Sequence, residues 1–247
     1  MKILLCNDDG YQATGIVAFH EALKALPGVQ VEVVAPEHNN SAKSNALTLR
    51  APLYVYEAAN GFRYVNGTPA DCVHIALTGL LDYRPDLVVS GINNGANMGD
   101  DTIYSGTVGA AMEGYLFGIP AIAFSQIDKG WGHIDAAAAR AAELVQRIGK
   151  HQLDGGKPWL LNVNIPNLPF DQIKPPKVCR LGRRHAAERV ITMASPHGDT
   201  MYWIGGAGAA ADAAEGTDFH ATAEGHIAIT PLKVDLTDRD ALGYWAQ

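Results

Sequence analysis

The sequence predicts a doubly wound α/β fold with a mostly parallel sheet, followed by an extended β arm and a C-terminal tail. Residues 2–36 provide the first observation, because a short apolar run, a stretch with helical spacing and a second β-type run succeed one another as in a βαβ unit. The same alternation continues as far as Pro166. Beyond Pro166, prolines and short β-type runs replace it, which indicates that the arm begins there.

Length and composition favour one large domain, or one domain with a small arm, and they restrict the possible partners. The 247 residues are 47% hydrophobic and 18% charged, which allows a sizeable core. The formal net charge of -7 argues against binding to a nucleic-acid duplex, since such proteins usually carry a basic face. No apolar stretch approaches the roughly 20 residues that span a bilayer, and the N-terminal apolar run is too short for a signal peptide. We therefore expect no association with a membrane.

The cysteines indicate a reducing compartment. Cys6, Cys72 and Cys179 are odd in number and lack the CxxC spacing of metal or redox motifs. Such cysteines are typical of reduced, buried thiols. We expect a cytoplasmic protein.

The first βαβ unit is predicted from residues 3–36. Residues 3–6 form an unbroken apolar run, which is typical of a strand buried on both faces. Apolar positions recur at helical spacing over residues 16–26, and Gly28 ends that helix. Residues 29–35 are predicted to form the second strand. The polar residues 37–45 lack periodicity and form a loop that leaves its carboxyl end.

The later core elements follow the same rules. Thr68 and Pro69 mark a helix start, as N-cap and first helical residue, and apolar spacing continues to Leu80. Gly118, with Pro120 beyond it, closes a further helix. The remaining predictions are strands at 48–56, 62–65, 87–89, 121–124 and 159–163, and helices at 107–117 and 134–148.

The change of pattern after Pro166 divides the chain into a catalytic core of residues 1–166 and a C-terminal segment of residues 167–247. The segment is interpreted as a β arm that serves oligomerisation, with residues 226–234 rejoining the core. The small residues 205–216 predict a flexible loop. Within the segment, strands are predicted at 178–181, 190–193, 201–204 and 227–230, and a short helix after Asp238.

Two adjacent carboxylates, Asp8 and Asp9, directly follow the first strand. Neighbouring carboxylates repel each other, and burial of an unpaired charge costs several kcal/mol, so a divalent cation bound by oxygen ligands would relieve both problems. A solvated Asx turn in which Gly10 adopts a positive φ is the alternative interpretation of the pair alone.

Polar residues follow two further strands, at residues 39–44 and at Asn93 and Asn94. Parallel strands place all three clusters at the carboxyl edge of the sheet, where ligands bind in open α/β sheets. This convergence favours the metal site over the simple turn.

A fourth cluster, residues 104–107, immediately precedes a predicted helix. Its hydroxyls, its glycine and the N–H groups of the helix start are suited to binding an anion, although ordinary capping by Ser105 or Thr107 explains the same pattern. The chain has no GxxxxGK[ST], GxGxxG, GxSxG or HExxH motif. These absences argue against a P-loop nucleotide triphosphatase, a dinucleotide-binding fold, a serine hydrolase and a zinc protease.

Together, several segments resemble the SurE family of metal-dependent nucleotidases, also called survival-protein phosphatases. They read NDDG at 7–10 followed by Gly15, AP at 35–36 followed by residues 37–45, which contain Ser41 and Ser44 and are called the serine loop below, NGTPADCV at 66–73, SGINNGANMGDDTIYSGTV at 90–108, GIPAIAFS at 118–125 and GHIAITPL at 225–232. The resemblance implies a Rossmann-like core, a protruding β arm and hydrolysis of phosphomonoesters such as nucleoside monophosphates.

Carried over residue by residue, the resemblance implies particular roles at the carboxyl edge. Asp8 and Asp9 become the catalytic residues, and one divalent cation, Mg²⁺ or Mn²⁺, is implied for each chain. Many family members carry Arg or Gln before the loop serine and Gly after it, whereas this chain has Asn40 and Ala42. The implied metal ligands are Asp8, Asp9, Ser41 and Asn93, and the residues beside the substrate phosphate are Asn94, Ser105, Gly106 and Thr107.

The sequence leaves the attack on phosphorus open between a water molecule and an aspartyl nucleophile. The aspartyl route is typical of phosphatases with DxD spacing, whereas Asp8 and Asp9 are adjacent. A non-catalytic module that senses a metal or nucleotide is the alternative from another functional class.

The arm predicts a homodimer or homotetramer formed through the C-terminal segment. Strands that stand off a core expose unpaired edges, and a partner chain can cover them by exchange of elements. The family resemblance also implies C-terminal exchange. Asp218 and Phe219 are interpreted as hinge-side residues or as a simple turn. A monomer whose arm folds back onto its own sheet is the alternative.

Overall fold

A nine-stranded sheet forms the centre of the molecule. The computed structural model describes residues 1–152, 156–184, 189–205 and 208–246. Strands in this sheet have the order β3-β4-β2-β1-β5-β6-β7-β13-β8. Their ranges are β1 (Lys2–Cys6), β2 (Gln30–Pro36), β3 (Val55–Glu57), β4 (Arg63–Val65), β5 (Leu87–Asn94), β6 (Ala121–Gln126), β7 (Leu160–Ile165), β8 (Lys174–Val178) and β13 (His226–Leu232).

Helices cover both faces of the sheet. The covering helices are α1 (Thr14–Lys24), α2 (Pro69–Ile75), α3 (Gly106–Leu116) and α4 (Ile134–Gln152), whereas α5 (Asp218–Ala223) packs against β13 and the short α6 (Leu242–Trp245) is exposed. A capping box between Thr68 and Asp71 starts α2, whose path continues as a π-helical turn over Ala76–Leu80. Among the described residues, no helix is both long and apolar enough to cross a membrane.

The strand order creates a crevice beside β1. Six neighbouring strands, from β4 to β7, run parallel. The chain winds outward from β1 to β2 in one direction and from β1 to β5 in the other. Ligands bind at such a switch point, outside the carboxyl ends of the strands. The predicted α/β fold class is confirmed.

The two faces of β1 belong to two separate cores. Ile3 and Leu5 pack on the side of α1 and α4 with Phe19 and Phe124, whose rings meet edge to face with centroids 5.1 Å apart. Leu4 lies on the opposite side, which α2 and α3 cover. Burial of each such side chain contributes about 2 kcal/mol. β1, and the carboxylates that follow it, are therefore held from both sides.

The arm leaves the sheet after β8 and returns to it as β13. Its strands form two antiparallel pairs, β9 (Arg183–Arg184) with β12 (Ala210–Asp212) and β10 (Ile191–Ala194) with β11 (Thr200–Trp203). Every residue of β10 and β11 is exposed. β13 then pairs antiparallel with β7 and parallel with β8.

Several predicted boundaries are wrong for identifiable reasons. Of the predicted strand 48–56, only Val55 and Tyr56 lie in a ladder, as part of β3, because Thr48 instead bonds to Asp71 at the start of α2. The strand predicted at 178–181 lies at Lys174–Val178, where an edge position tolerates Pro175 and Pro176.

Two further corrections concern the arm. The predicted loop 205–216 contains the short strand β12, although its residues 206–207 lie outside the described residues. Asp218 and Phe219 do not form a simple turn, because they begin α5, for which the Thr217 side chain accepts the N–H of His220 as N-cap.

Candidate active site

Asp8 is buried at the carboxyl end of β1, against the start of α3. Its Oδ1 accepts a hydrogen bond of 2.5 Å from the hydroxyl of Thr107, and only 3% of the residue is exposed. A Cβ atom on Gly106 would lie 2.8 Å from the Cβ of Asp8 and 3.1 Å from its Oδ2. The start of α3 approaches the carboxylate this closely because residue 106 lacks a side chain.

Asp9 joins three loops. Its Oδ1 accepts a hydrogen bond of 3.0 Å from the side-chain amide of Asn39, and its Oδ2 accepts one of 3.0 Å from the backbone N–H of Asn94. The side-chain oxygen of Asn94 accepts the N–H of Gly130 at 2.9 Å. One carboxylate thereby orders the loops after β2 and β5, and Asn94 extends the network to the loop after β6.

Ser41 reaches this network through Asn39. The N–H of Ser41 donates to the side-chain oxygen of Asn39 at 2.9 Å, and the N–H of Asn40 donates to the carbonyl of Asp8 at 2.6 Å. Ala42 has a φ of 61°, so the loop contains a left-handed residue that is not glycine, at a cost of about 1–2 kcal/mol.

The serine loop is also docked on the start of α3. The N–H and hydroxyl of Ser44 donate to the carbonyls of Tyr104 and Ile103 at 2.9 and 2.7 Å. A Cβ atom on Gly109 would lie 2.3 Å from the carbonyl oxygen of Ser44. The loop after β2 and the start of α3 therefore form one packed unit.

Asn93 and Ser105 make only local contacts. The side-chain amide of Asn93, which is 9% exposed, donates to the carbonyl of Gly95 at 2.8 Å. The hydroxyl of Ser105 accepts the N–H of Val108 at 3.1 Å as the N-cap of α3. The structure thus joins Asp8 with Gly106 and Thr107, and Asp9 with Ser41 and Asn94, whereas it gives neither Asn93 nor Ser105 a hydrogen bond to the carboxylate pair.

Burial changes the proton affinity of both carboxyl groups. It raises the pKa of Asp8 from 3.8 to about 6; the hydroxyl of Thr107 lowers this pKa and the charge of Asp9 raises it. Burial also raises the pKa of Asp9, while the N–H of Asn94, the amide of Asn39 and the charge of Lys129 oppose the shift. Without a cation the pair is therefore held in an unfavourable charged state.

Comparisons with known proteins decide the family. Residues 3–188 match the family described as Survival protein SurE. The chain belongs to the SurE family. A protein named 5'-nucleotidase SurE from Albidiferax ferrireducens is 74% identical over 247 residues, covering 100% of this chain and 97% of its relative. Its namesake from Variovorax paradoxus is 73% identical with the same coverage.

A solved SurE structure supports the same assignment. The crystal structure of the SurE protein from Aquifex aeolicus matches with a TM-score of 0.87 and 42% sequence identity, covering 100% of both chains. The SurE resemblance of the sequence is therefore confirmed.

The donor atoms of this SurE site suit a hard divalent cation. Within the described residues, no three His, Cys, Asp or Glu side chains come together as a metal-binding group. Beside the two carboxylates, the remaining ligands of a cation would be neutral oxygen donors, such as the hydroxyl of Ser41 and the amide oxygen of Asn93. Such oxygen sets favour Mg²⁺ and Mn²⁺ over zinc, and a cation would offset the cost of burying Asp8 beside Asp9.

Sequence reasoning missed two positioning roles. Asn39 was part of a polar cluster but was not singled out, although it joins Ser41 to Asp9. Asp71 lies in the first turn of α2, and its carboxylate also accepts the N–H and hydroxyl of Thr48 at 2.8 and 2.6 Å. The position of Asn39 in the polar loop that follows β2 was the available signal for the first role, and no local pattern signalled the second.

We expect the metal-free protein to lose stability as pH rises from about 4 to about 6. Asp8 binds its proton more tightly in the folded state, so its contribution is present at low pH and is lost across this window. The shift of about two units corresponds to about 3 kcal/mol. Urea unfolding of the wild type and Asp8→Asn with a chelator present, from pH 4 to 7.5, measures the difference.

Asp8→Asn should become more stable than the wild type as pH increases. Its uncharged amide can still accept the hydrogen bond from the hydroxyl of Thr107 through its oxygen. A wild type that remains more stable than the variant at pH 7 without metal would contradict this.

Proposed function

We propose that the chain is a divalent-metal-dependent phosphomonoesterase that hydrolyses nucleoside monophosphates to nucleoside and phosphate. The placement of Asp8 and Asp9 at the switch point of the sheet, against the start of α3, carries the proposal. Relatives at 72–74% identity that are named 5'-nucleotidase SurE support the reaction class. The 5' position is the primary site of hydrolysis, and the 3' position is a further candidate.

One divalent cation for each chain, Mg²⁺ or Mn²⁺, fits between the carboxylates and the loops that Asp9 orders. Its proposed ligands are Asp8, Asp9, Ser41 and Asn93. A bound cation polarises the phosphoryl group and lowers the pKa of water. The chain's own contribution is to fix the donor oxygens, because Asn39 and Asn94 hold Asp9 while Thr107 holds Asp8.

The substrate phosphate is proposed to bind at the start of α3. Backbone N–H groups at a helix N-terminus stabilise the negative charge that develops on the phosphoryl oxygens. Gly106 permits close approach, and the proposed neighbours of the phosphate are Asn94, Ser105, Gly106 and Thr107. The contact between the hydroxyl of Thr107 and Asp8 supports an anion site next to the proposed metal site.

The contacts of the carboxylates favour attack by water over attack by an aspartate. Both oxygens of Asp9 accept N–H groups, and Oδ1 of Asp8 accepts a hydroxyl. Carboxylates that are held in this way suit orienting and deprotonating a water molecule better than moving toward phosphorus.

Phosphate release tests the function. Purified chain is incubated with AMP, other nucleoside monophosphates and p-nitrophenyl phosphate, each with Mg²⁺ or Mn²⁺ and with a chelator. Turnover that requires the cation is expected. Binding of nucleotide without turnover under every metal condition would favour the sensor module instead.

An open cavity beside the site, lined by both polar and apolar side chains, is proposed to receive the nucleoside. Its volume is about 430 Å³, and Asn39, Asn40 and Lys43 line the side next to Asp9 while Leu47 and Asn66 line the far side. Asn39 lines this cavity and also donates to Asp9. This shared residue supports a substrate that extends from the proposed metal site into the cavity.

Lys43→Met is expected to lower kcat/KM for nucleoside monophosphates about fivefold, the equivalent of one hydrogen bond of about 1 kcal/mol. Hydrolysis of p-nitrophenyl phosphate, which has no nucleoside, should change by less than twofold. Steady-state kinetics with both substrates checks this, with Lys177→Met as the control. An equal loss for both substrates would argue against a nucleoside cavity.

The exposed apolar side chains of the C-terminal segment support assembly into a dimer or tetramer. Ile204 and Trp203 of the arm are 90% and 57% exposed, and Leu236 and Trp245 of the tail are 95% and 81% exposed. Monomers rarely leave such surfaces in water. We propose that residues 167–247 form the joint and that residues 1–166, with 226–234, form the catalytic core.

Light scattering is expected to give a mass of at least twice the 26.3 kDa of the chain. Trp203→Lys should reduce the assembled fraction because it places a charge in the apolar surface, whereas Leu116→Lys, at an exposed apolar position on α3, should not. Deletion of residues 235–247 tests the tail. A monomeric wild type at low micromolar concentration would contradict the proposed assembly.

The three cysteines support a cytoplasmic location. Cys6, Cys72 and Cys179 are all buried free thiols. Proteins of reducing compartments commonly keep such thiols.

A further inference from the structure

Asp218 is a buried carboxylate that takes no part in the proposed chemistry. It is 0% exposed. Its Oδ2 accepts the N–H of Gly99 at 2.8 Å, and its Oδ1 accepts the N–H groups of Gly182 at 2.8 Å and Phe219 at 3.0 Å. One side chain therefore joins α5, the base of the arm and the segment that leads into α3. A buried charge persists only where such contacts compensate it.

The packing around Asp218 leaves little freedom for the three segments. Cβ atoms on Gly99 and Gly182 would lie 2.8 and 2.5 Å from the ring of Phe219. The hydroxyl of Thr222 lies 3.4 Å from the sulfur of Met98. Interlocked contacts of this kind admit few alternative arrangements.

Ion pairs reinforce the same junction. The guanidinium of Arg184, in β9, pairs with the carboxylate of Asp101, and the backbone N–H of Arg184 donates to the carboxylate of Asp100 at 3.1 Å. The guanidinium of Arg183 also contacts Asp100 at 3.1 Å. The first three residues of the short helical segment Gly99–Ile103 are thus attached to α5 and the arm.

This segment continues directly into the proposed phosphate site. The N–H groups of Tyr104 and Ser105 donate to the carbonyl of Asp101 at 3.0 and 3.1 Å. On the opposite side, Ser44 of the serine loop binds the carbonyls of Ile103 and Tyr104. A displacement of Gly99 would therefore be transmitted to the first N–H groups of α3.

We infer that Asp218 is a positioning residue that fixes the start of α3 from the arm side and so sets the affinity of the site for phosphate. The inference rests on the proposed function, because it assumes that residues 105–107 bind the phosphoryl group. Asp218 acts through Gly99 and does not touch substrate. The arm thereby gains a role in catalysis in addition to its proposed role in assembly.

The test compares Asp218→Ala, Asp218→Asn and Arg184→Gln with the control Asp199→Ala, an exposed carboxylate at the hairpin turn whose hydrogen bonds to described residues stay within its own turn. The primary measurement is the dissociation constant of inorganic phosphate for the Mn²⁺-loaded full chain, by calorimetry at 25 °C. The others are Mn²⁺ affinity without phosphate, KM and kcat for p-nitrophenyl phosphate, and the thermal midpoint.

Asp218→Ala is expected to weaken phosphate binding and raise KM about tenfold, with a smaller change in kcat and Mn²⁺ affinity within twofold of wild type. Asp218→Asn, which keeps one acceptor oxygen, and Arg184→Gln should give about threefold effects, and Asp199→Ala none. If Asp218→Ala does not fold, the two milder variants carry the test.

Two outcomes would overturn the inference. In the first, the thermal midpoint falls while phosphate affinity and KM stay within twofold of wild type. This result would mean that Asp218 has a purely structural role. In the second, Mn²⁺ affinity falls in parallel with phosphate affinity. This result would mean that the substitution disrupts the whole site and not the phosphate site alone. A wild type that binds phosphate but hydrolyses nothing would refute the proposed function alone, because the calorimetric comparison needs no turnover.

Discussion

Asp8→Asn and Asp9→Asn are each expected to lower kcat for phosphomonoesters by at least about 10²-fold while the fold stays intact. Each substitution removes one of the two negative charges at the proposed metal site. Asp9→Asn also replaces an oxygen with an NH₂ group that would face either the amide of Asn39 or the N–H of Asn94. Steady-state kinetics at saturating Mn²⁺ measures the loss, and circular dichroism monitors the fold.

Asp82→Asn, an exposed carboxylate that precedes the amino end of β5, at the opposite end of the strand from the site, is the matched control and should keep wild-type turnover. Near wild-type activity of either site variant at saturating metal would remove that residue from the catalytic assignment.

Gly106→Ala is expected to lower kcat/KM about 10–100-fold. The new methyl group would meet Asp8 at 2.8 Å and the Pro69 ring at 3.2 Å, so the carboxylate or the start of α3 must move. Displacement of a catalytic group by a fraction of an ångström has effects of this size. Kinetics on p-nitrophenyl phosphate, together with a Mn²⁺ titration, checks the prediction.

Gly79→Ala is the matched control, because its added Cβ has no neighbour within 4 Å. It should leave kcat/KM unchanged. Equal activity of Gly106→Ala and wild type would show that the approach of α3 to Asp8 is not required for turnover.

The sequence carried most of the information about the parallel core. Strands that are buried on both faces, such as β1 and β5, are continuous apolar runs, and their polar ends identify the carboxyl edge without any knowledge of contacts. For the same reason Asp8 and Asp9 could be recognised as candidates before the fold was known.

What the sequence did not indicate depends on contacts between distant segments. Asn39 lies 30 residues from Asp9, and Asp218 lies 119 residues from Gly99, so no local periodicity reports either contact. The predicted positions of the short strands of the arm differ from the observed ones for a related reason. Edge pairing and proline tolerance there depend on the neighbouring strand, which a single sequence does not specify.

The late return of β13 to the sheet has a consequence for how the chain is made. β7 ends at Ile165, but its partner β13 begins at His226, after the whole arm. During synthesis the ribosome therefore releases a nearly complete parallel core whose last strand has an open edge, and that edge stays unpaired until the arm has also emerged. Open edges in nascent chains invite pairing with other chains. The interval between these two strands is thus the period in which pairing of β7 with another chain competes with the native pairing to β13.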